Sequence, residues 1–113
     1  MEGIQAQTLI PSIKKRSGAV VSFNQDKITI AVEKAFLAAG KENEPLALKI
    51  SDKVLERLLQ EKQARPEDSI PTVEHIQDLV EEELMRAGET KTAKSYILYR
   101  QKHTEERDLK RTM

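Results

Sequence analysis

The sequence predicts an α+β domain, mainly α: a four-helix bundle with a small sheet of about three strands covering one end or face. Three observations carry this prediction. Apolar residues recur at helical spacing in four separate stretches, each opened by a capping residue or closed by a glycine. Ahead of them, two short segments with strand-like alternation flank the turn dipeptide Ser17-Gly18. The composition, 34% charged and 38% apolar over 113 residues, is that of one strongly helical domain with a single modest core.

Residues 1–10 read as a loose leader. The hairpin runs from Pro11 to Phe23, with Arg16, Ser17 and Gly18 as a three-residue loop and Gly18 left-handed. That loop pairs Lys15 with Ala19 and Ile13 with Val21. Asn24 is the N-cap of a first helix that reaches Gly40, its C′ residue, with Ile28, Ala31, Val32, Ala35, Phe36 and Ala39 along one stripe. Asn43 or Glu44 opens the second helix, with Pro45 in its first turn. Leu46, Ile50, Val54, Leu55, Leu58 and Leu59 form its buried face, and it fades near Gln63. The connection from Ala64 to Ser69 is polar and contains Pro66; Ser69-Ile70 is the candidate third strand. Thr72 caps a third helix striped by Val73, Ile76, Leu79, Val80 and Leu84 and ended by Gly88. A fourth begins near Thr90 and carries Ala93, Tyr96, Ile97 and Leu98. Residues 11–102 thus make the domain, and 103–113 a charged helical tail suited to a downstream domain.

Several functions are disfavoured by composition alone. Nineteen basic residues balance nineteen acidic ones, which argues against a general nucleic-acid surface but not against a local anion pocket. There is no Cys, so zinc ribbons, iron–sulfur clusters, thiol catalysis and disulfides are removed. His75 and His103 lack the spacing and companions of a metal site. No apolar run approaches a membrane span and the N-terminus lacks a signal pattern, so the cytoplasm is the default compartment. No Gly-rich loop ends in Gly-Lys-Ser/Thr, and no catalytic set is evident.

The chemistry-bearing feature is Lys15. Hairpin alternation puts Ile13, Lys15, Val21 and Phe23 on one face, and that face is apolar except for Lys15. A cation on a packing face costs free energy unless it has a partner. Arg16 sits beside it in the turn. Lys27 follows in the first turn of a helix, where the dipole disfavours a cation and welcomes phosphate. Three cations that converge in this way point to a phosphate site. Lys14 alternates outward and reads as a solvated charge.

Three blocks resemble the ATP-cone family: Ile13-Lys14-Lys15-Arg16-Ser17-Gly18 with Val21, Phe23, Asp26-Lys27-Ile28 and Ala31; Val73 through Glu81; and Ala93 through Arg100. They span about residues 11 to 102. Each is weak alone, and their order and spacing together are specific. The family usually has Asp before the turn glycine where this chain has Ser17, a difference that a tight turn accommodates. The resemblance implies a four-helix bundle covered by a three-stranded sheet, and allosteric binding of ATP as activator or dATP as inhibitor at the N-terminus of ribonucleotide reductases. It also implies magnesium carried on the phosphates, and regulation through oligomeric state or subunit docking. The expected partners are a reductase catalytic domain or subunits and further copies of the chain, with no membrane and no nucleic acid.

By the same resemblance, Lys15 and Arg16 match the basic pair that contacts the triphosphate, and Lys27 the Lys of the family's Lys-Ile pair. Val21 and Asn24 belong to the segment lining the adenosine. Thr72, Gln77 and Lys102 complete the candidate ligand set, although on residues alone Asn24 and Thr72 are caps first and Gln77 is an ordinary half-exposed side chain. Tyr96 and Ile97 read as core, and Arg100 as a partner for a carboxylate. Two other readings stay open: a freestanding nucleotide-dependent regulator, transcriptional or protein-binding, and a helical interaction module that binds no nucleotide. The reductase-gene repressor that carries a cone is disfavoured, because it has a Cys-rich zinc ribbon.

Overall fold

A computed structural model of the chain describes residues 10–64 and 70–112, with side chains through residue 103. Strand β1 (Ser12–Lys14) pairs antiparallel with β2 (Val20–Ser22). Four helices follow: α1 (Gln25–Ala38), α2 (Glu44–Ala64), α3 (Val73–Arg86) and α4 (Thr90–Thr112). Helix α1 packs on α2 and α4, and α3 packs on the same two, which closes a four-membered ring.

The helices start and stop where local chemistry says they should. Asn24 Oδ1 accepts from the Asp26 amide at 3.0 Å, and Thr72 Oγ1 from the His75 amide at 3.1 Å. Asn43 Oδ1 accepts from the Leu46 amide at 3.1 Å and opens α2. At the end of α1 the Lys41 amide bonds the Phe36 carbonyl and the Gly40 amide the Leu37 carbonyl, both at 2.9 Å. These two bonds make a Schellman closure with Gly40 at φ 76°. The same pair of bonds ends α3 at Gly88.

The core lies inside the ring. Phe23, Val32, Phe36, Val54, Leu79, Val80 and Leu84 are among its largest fully buried side chains, each worth about 1.5–3 kcal/mol of transfer free energy. Ile10, at the end of the expected leader, is also buried there. A polar seam joins α1 to α2. Buried Ser51 accepts from Thr29 Oγ1 at 2.7 Å and from Gln25 Nε2 at 3.2 Å, and donates to the Leu48 carbonyl at 3.0 Å. Glu83, 5% exposed, is held by Arg57 at 3.2 Å and Arg86 at 3.3 Å. Burial pulls the Arg57 guanidinium down, but the hydrogen bonds and charges of Glu82 and Glu83 outweigh it and hold its pKa above the ordinary value.

Three expectations are corrected. The sheet has two strands, not three: the third pairing is a single parallel bridge between Lys14 and Thr72, beside a 2.9 Å bond from the Lys14 amide to the Pro71 carbonyl. Pro71 has no N–H to extend a ladder, and α3 begins at Val73, so the contact ends there. Ile70 is exposed and outside any strand, and Ser69 lies outside the described residues. Leu98, placed on the α4 stripe, is 66% exposed, because Ala93 and Tyr96 already define the inward face. In α2, Ala47 takes a fully buried place, while Leu46, Leu55 and Leu59 are only partly covered.

Among the described residues no helix is long and apolar enough to cross a membrane. Nor do they bring together three or more His, Asp or Glu side chains able to hold a metal ion.

Candidate functional site

The hairpin turn forms as the loop chemistry requires. The Lys15 amide bonds the Ala19 carbonyl and the Gly18 amide the Lys15 carbonyl, both at 2.8 Å, with Gly18 at φ 94°. Only glycine takes that φ without steric penalty. The register puts Ile13 opposite Val21, so both face inward with Phe23, while Lys14, Val20 and Ser22 face solvent.

Beneath the hairpin lies a cleft of about 420 Å³. One wall is the hairpin and the start of α1, with Lys15, Arg16, Val21, Asn24 and Lys27 along it and Ile13, Phe23, Ile28 and Ala31 behind. The facing wall comes from α3, through Val73, Glu74, Ile76, Gln77 and Val80. Helix α4 closes the end with Tyr96, Tyr99, Arg100 and His103. Neither the Lys15 nor the Lys27 ammonium has a hydrogen bond or ion pair among the described residues. Both are exposed, so the desolvation cost expected for Lys15 is small: the side chain is on the predicted face but solvated at the cleft mouth.

Arg100 is differently placed. It donates to Asp78 at 2.8 Å, to Glu81 at 2.6 Å and to the Glu74 carbonyl at 3.4 Å. Burial lowers its pKa, and the two carboxylates more than compensate, so it lies above the ordinary Arg value. Its charge is already matched within the protein. The Tyr99 ring lies 4.3 Å from that of His103 and 6.4 Å from that of Tyr96, an aromatic row along the α4 face. Burial pushes the Tyr96 phenol well above the usual tyrosine range, with Arg100 opposing and Glu81, Tyr99 and Asp78 reinforcing the shift.

Six sequence-derived candidates therefore meet in one cleft: Lys15, Arg16, Val21, Asn24, Lys27 and Gln77. Two lie apart from its lining. Thr72 caps α3 and bridges to Lys14, and Lys102 is an exposed residue of α4. Glu74 and His103 also line the cleft without being among the candidates from sequence, and Tyr96, expected in the core, lines it as well. The signal for the α4 group was present: Tyr96, Tyr99 and His103 recur at i, i+3 and i+7, which puts them on one helix face. Glu74 carried no comparable signal.

Residues 11–105 match the model of the ATP cone domain. The chain belongs to the ATP-cone family. It is 41% identical over 110 residues to the vitamin B12-dependent ribonucleoside-diphosphate reductase of Thermoplasma acidophilum, which covers 93% of this chain and 13% of that protein. To the ribonucleoside-diphosphate reductase subunit alpha of Chlamydia muridarum it is 39% identical over 108 residues, 86% of this chain and 10% of the relative. The corresponding Chlamydia trachomatis subunit is 38% identical over 103 residues. This cone therefore spans only about a tenth of the length of these curated relatives.

Proposed function

We propose that this ATP cone is an allosteric nucleotide-binding module, taking ATP or dATP in the cleft and setting the overall activity of a ribonucleotide reductase. The observation that carries the reading is the pair of ammonium groups, Lys15 and Lys27, without a partner among the described residues, at the rim of a cleft whose other wall is apolar around Ile76 and Val80 and carries one carboxylate, Glu74. The triphosphate lies along Lys15, Arg16 and Lys27, assisted by the positive end of the α1 dipole. Val21, Ile28 and Ala31 supply apolar contact for the adenosine, and Asn24 and Gln77 polar contact. Thr72 and Lys102 enter the proposed set more weakly, because neither lines the cleft.

Glu74 is the single carboxylate among the described residues of the lining, too few for a protein-built magnesium cage. Magnesium would arrive on the phosphates. The chemistry proposed for the cleft is binding, not turnover. The reductase family of the relatives favours a role inside a reductase, with its catalytic domain or subunits as partner, over a freestanding regulator.

Calorimetry of the chain with ATP, dATP and GTP tests the reading, alongside thermal melting. A ligand at one hundred times its dissociation constant stabilises by about 2.7 kcal/mol. For a domain of this size that is a melting shift of roughly ten degrees. No heat and no shift with millimolar ATP or dATP plus magnesium would refute it.

A further inference from the structure

Helix α4 carries two buried residues, Thr92 and Tyr96, whose hydroxyls have no hydrogen-bond partner among the described residues. Thr92 is 1% exposed and its Oγ1 is unsatisfied. Tyr96 is 4% exposed, one turn further on, and its hydroxyl likewise has no partner. The two differ: Thr92 Oγ1 is sealed in the interior, whereas Tyr96 lines the cleft and its hydroxyl is not sealed. A hydroxyl on a buried side chain that finds no partner in the protein calls for an explanation. At Tyr96 the cleft supplies one.

We infer that the Tyr96 hydroxyl is a ligand-reading group, which donates a hydrogen bond to an oxygen or nitrogen of the nucleoside part of the bound nucleotide and not to its phosphates. The inference rests on the nucleotide reading of the cleft. Electrostatics choose the nucleoside. The charged groups around the phenol are Arg100, Glu81 and Asp78, and Arg100 is already bonded to both carboxylates. Glu74 adds a further negative charge to the same side of the cleft. A triphosphate is repelled there and attracted to the Lys15–Lys27 rim, which leaves the uncharged end of the ligand for α4. The phenol, with its ionisation pushed upward by burial, stays protonated and able to donate.

The test uses the chain with Tyr96→Phe and, as control for an orphan hydroxyl away from the cleft, Thr92→Val. Binding of ATP and of inorganic tripolyphosphate is measured by calorimetry, and melting without ligand is recorded. Tyr96→Phe should weaken ATP about three- to tenfold, the worth of one hydrogen bond. It should leave tripolyphosphate unchanged and melt at the same temperature or higher. Thr92→Val should melt higher and bind both ligands as before. Should Tyr96→Phe fail to fold, the wild-type chain decides, because it has two tyrosines and no tryptophan. ATP should red-shift the phenol absorption and tripolyphosphate should not. Wild-type ATP affinity in Tyr96→Phe, equal loss for both ligands, or no phenol shift overturns the inference while the nucleotide reading stands. A wild-type chain that binds neither ligand sinks that reading itself.

Discussion

Lys15 and Lys27 show how exposure and alignment divide labour in a single side chain. Each ammonium is exposed at the mouth of the cleft, so its burial costs the fold little, yet each lines the space where an anion would neutralise it. Lys15→Met and Lys27→Met should therefore leave the ligand-free melting point nearly unchanged, within about 0.5 kcal/mol. Each should weaken ATP by roughly tenfold or more, since hydrogen bonds to charged groups are worth about 1.5–3 kcal/mol. The loss should shrink as salt is raised, because exposed charges are screened. Calorimetry at two ionic strengths reads both effects. A mutant that melts lower and binds ATP normally would make Lys15 a structural residue. Arg100 behaves oppositely: its three bonds to α3 make it a strut between helices whose charge is spent inside the protein.

At the scale of elements, caps and ligand contacts can be separated. Asn24 and Thr72 perform the same local task, holding the first amides of α1 and α3, but only Asn24 lines the cleft. Replacing either by Ala should cost about 1 kcal/mol of stability. Asn24→Ala should also weaken nucleotide binding, whereas Thr72→Ala should leave affinity within about a factor of two of wild type once both are measured well below melting. Equal losses of affinity would show that Thr72 reaches the ligand. The hairpin is tied to the start of α3 by the Lys14–Thr72 bridge and the Lys14–Pro71 bond, so the two walls of the cleft are joined at one end.

For the whole molecule, regulation needs a ligand that binds two states unequally. The closed ring of helices, with Phe36, Val54 and Leu84 fully packed at its centre, resists a large internal rearrangement. The hairpin and the edges of α1 and α3 surround the cleft, so a response to the ligand is expected there. The expected readout is therefore association: dATP should change the sedimentation of this chain or of a parent reductase, and ATP should change it differently. If both nucleotides bind and neither alters association or reductase activity, the domain is a binding module but not a switch.

Much of this was legible in the chain itself. The helices could be read because their signals are local: Asn24 and Thr72 cap, Gly40 and Gly88 close, and the apolar stripes repeat with the helical period. The hairpin register followed from one loop, Arg16-Ser17-Gly18, since loop geometry sets pairing over the few residues of such short strands. The cations of the cleft were visible for the same reason, through hairpin alternation and position at a helix start, although Lys15 and Lys27 turn out to be solvated. What only the tertiary structure decided depends on packing between distant segments. It reduced the third strand to a bridge, placed Glu74 and the α4 aromatic row across from the hairpin, matched Arg100 to Asp78 and Glu81, and left the hydroxyls of Tyr96 and Thr92 without a partner among the described residues. No periodicity records whether a buried hydroxyl finds a partner, because that partner is brought by another helix.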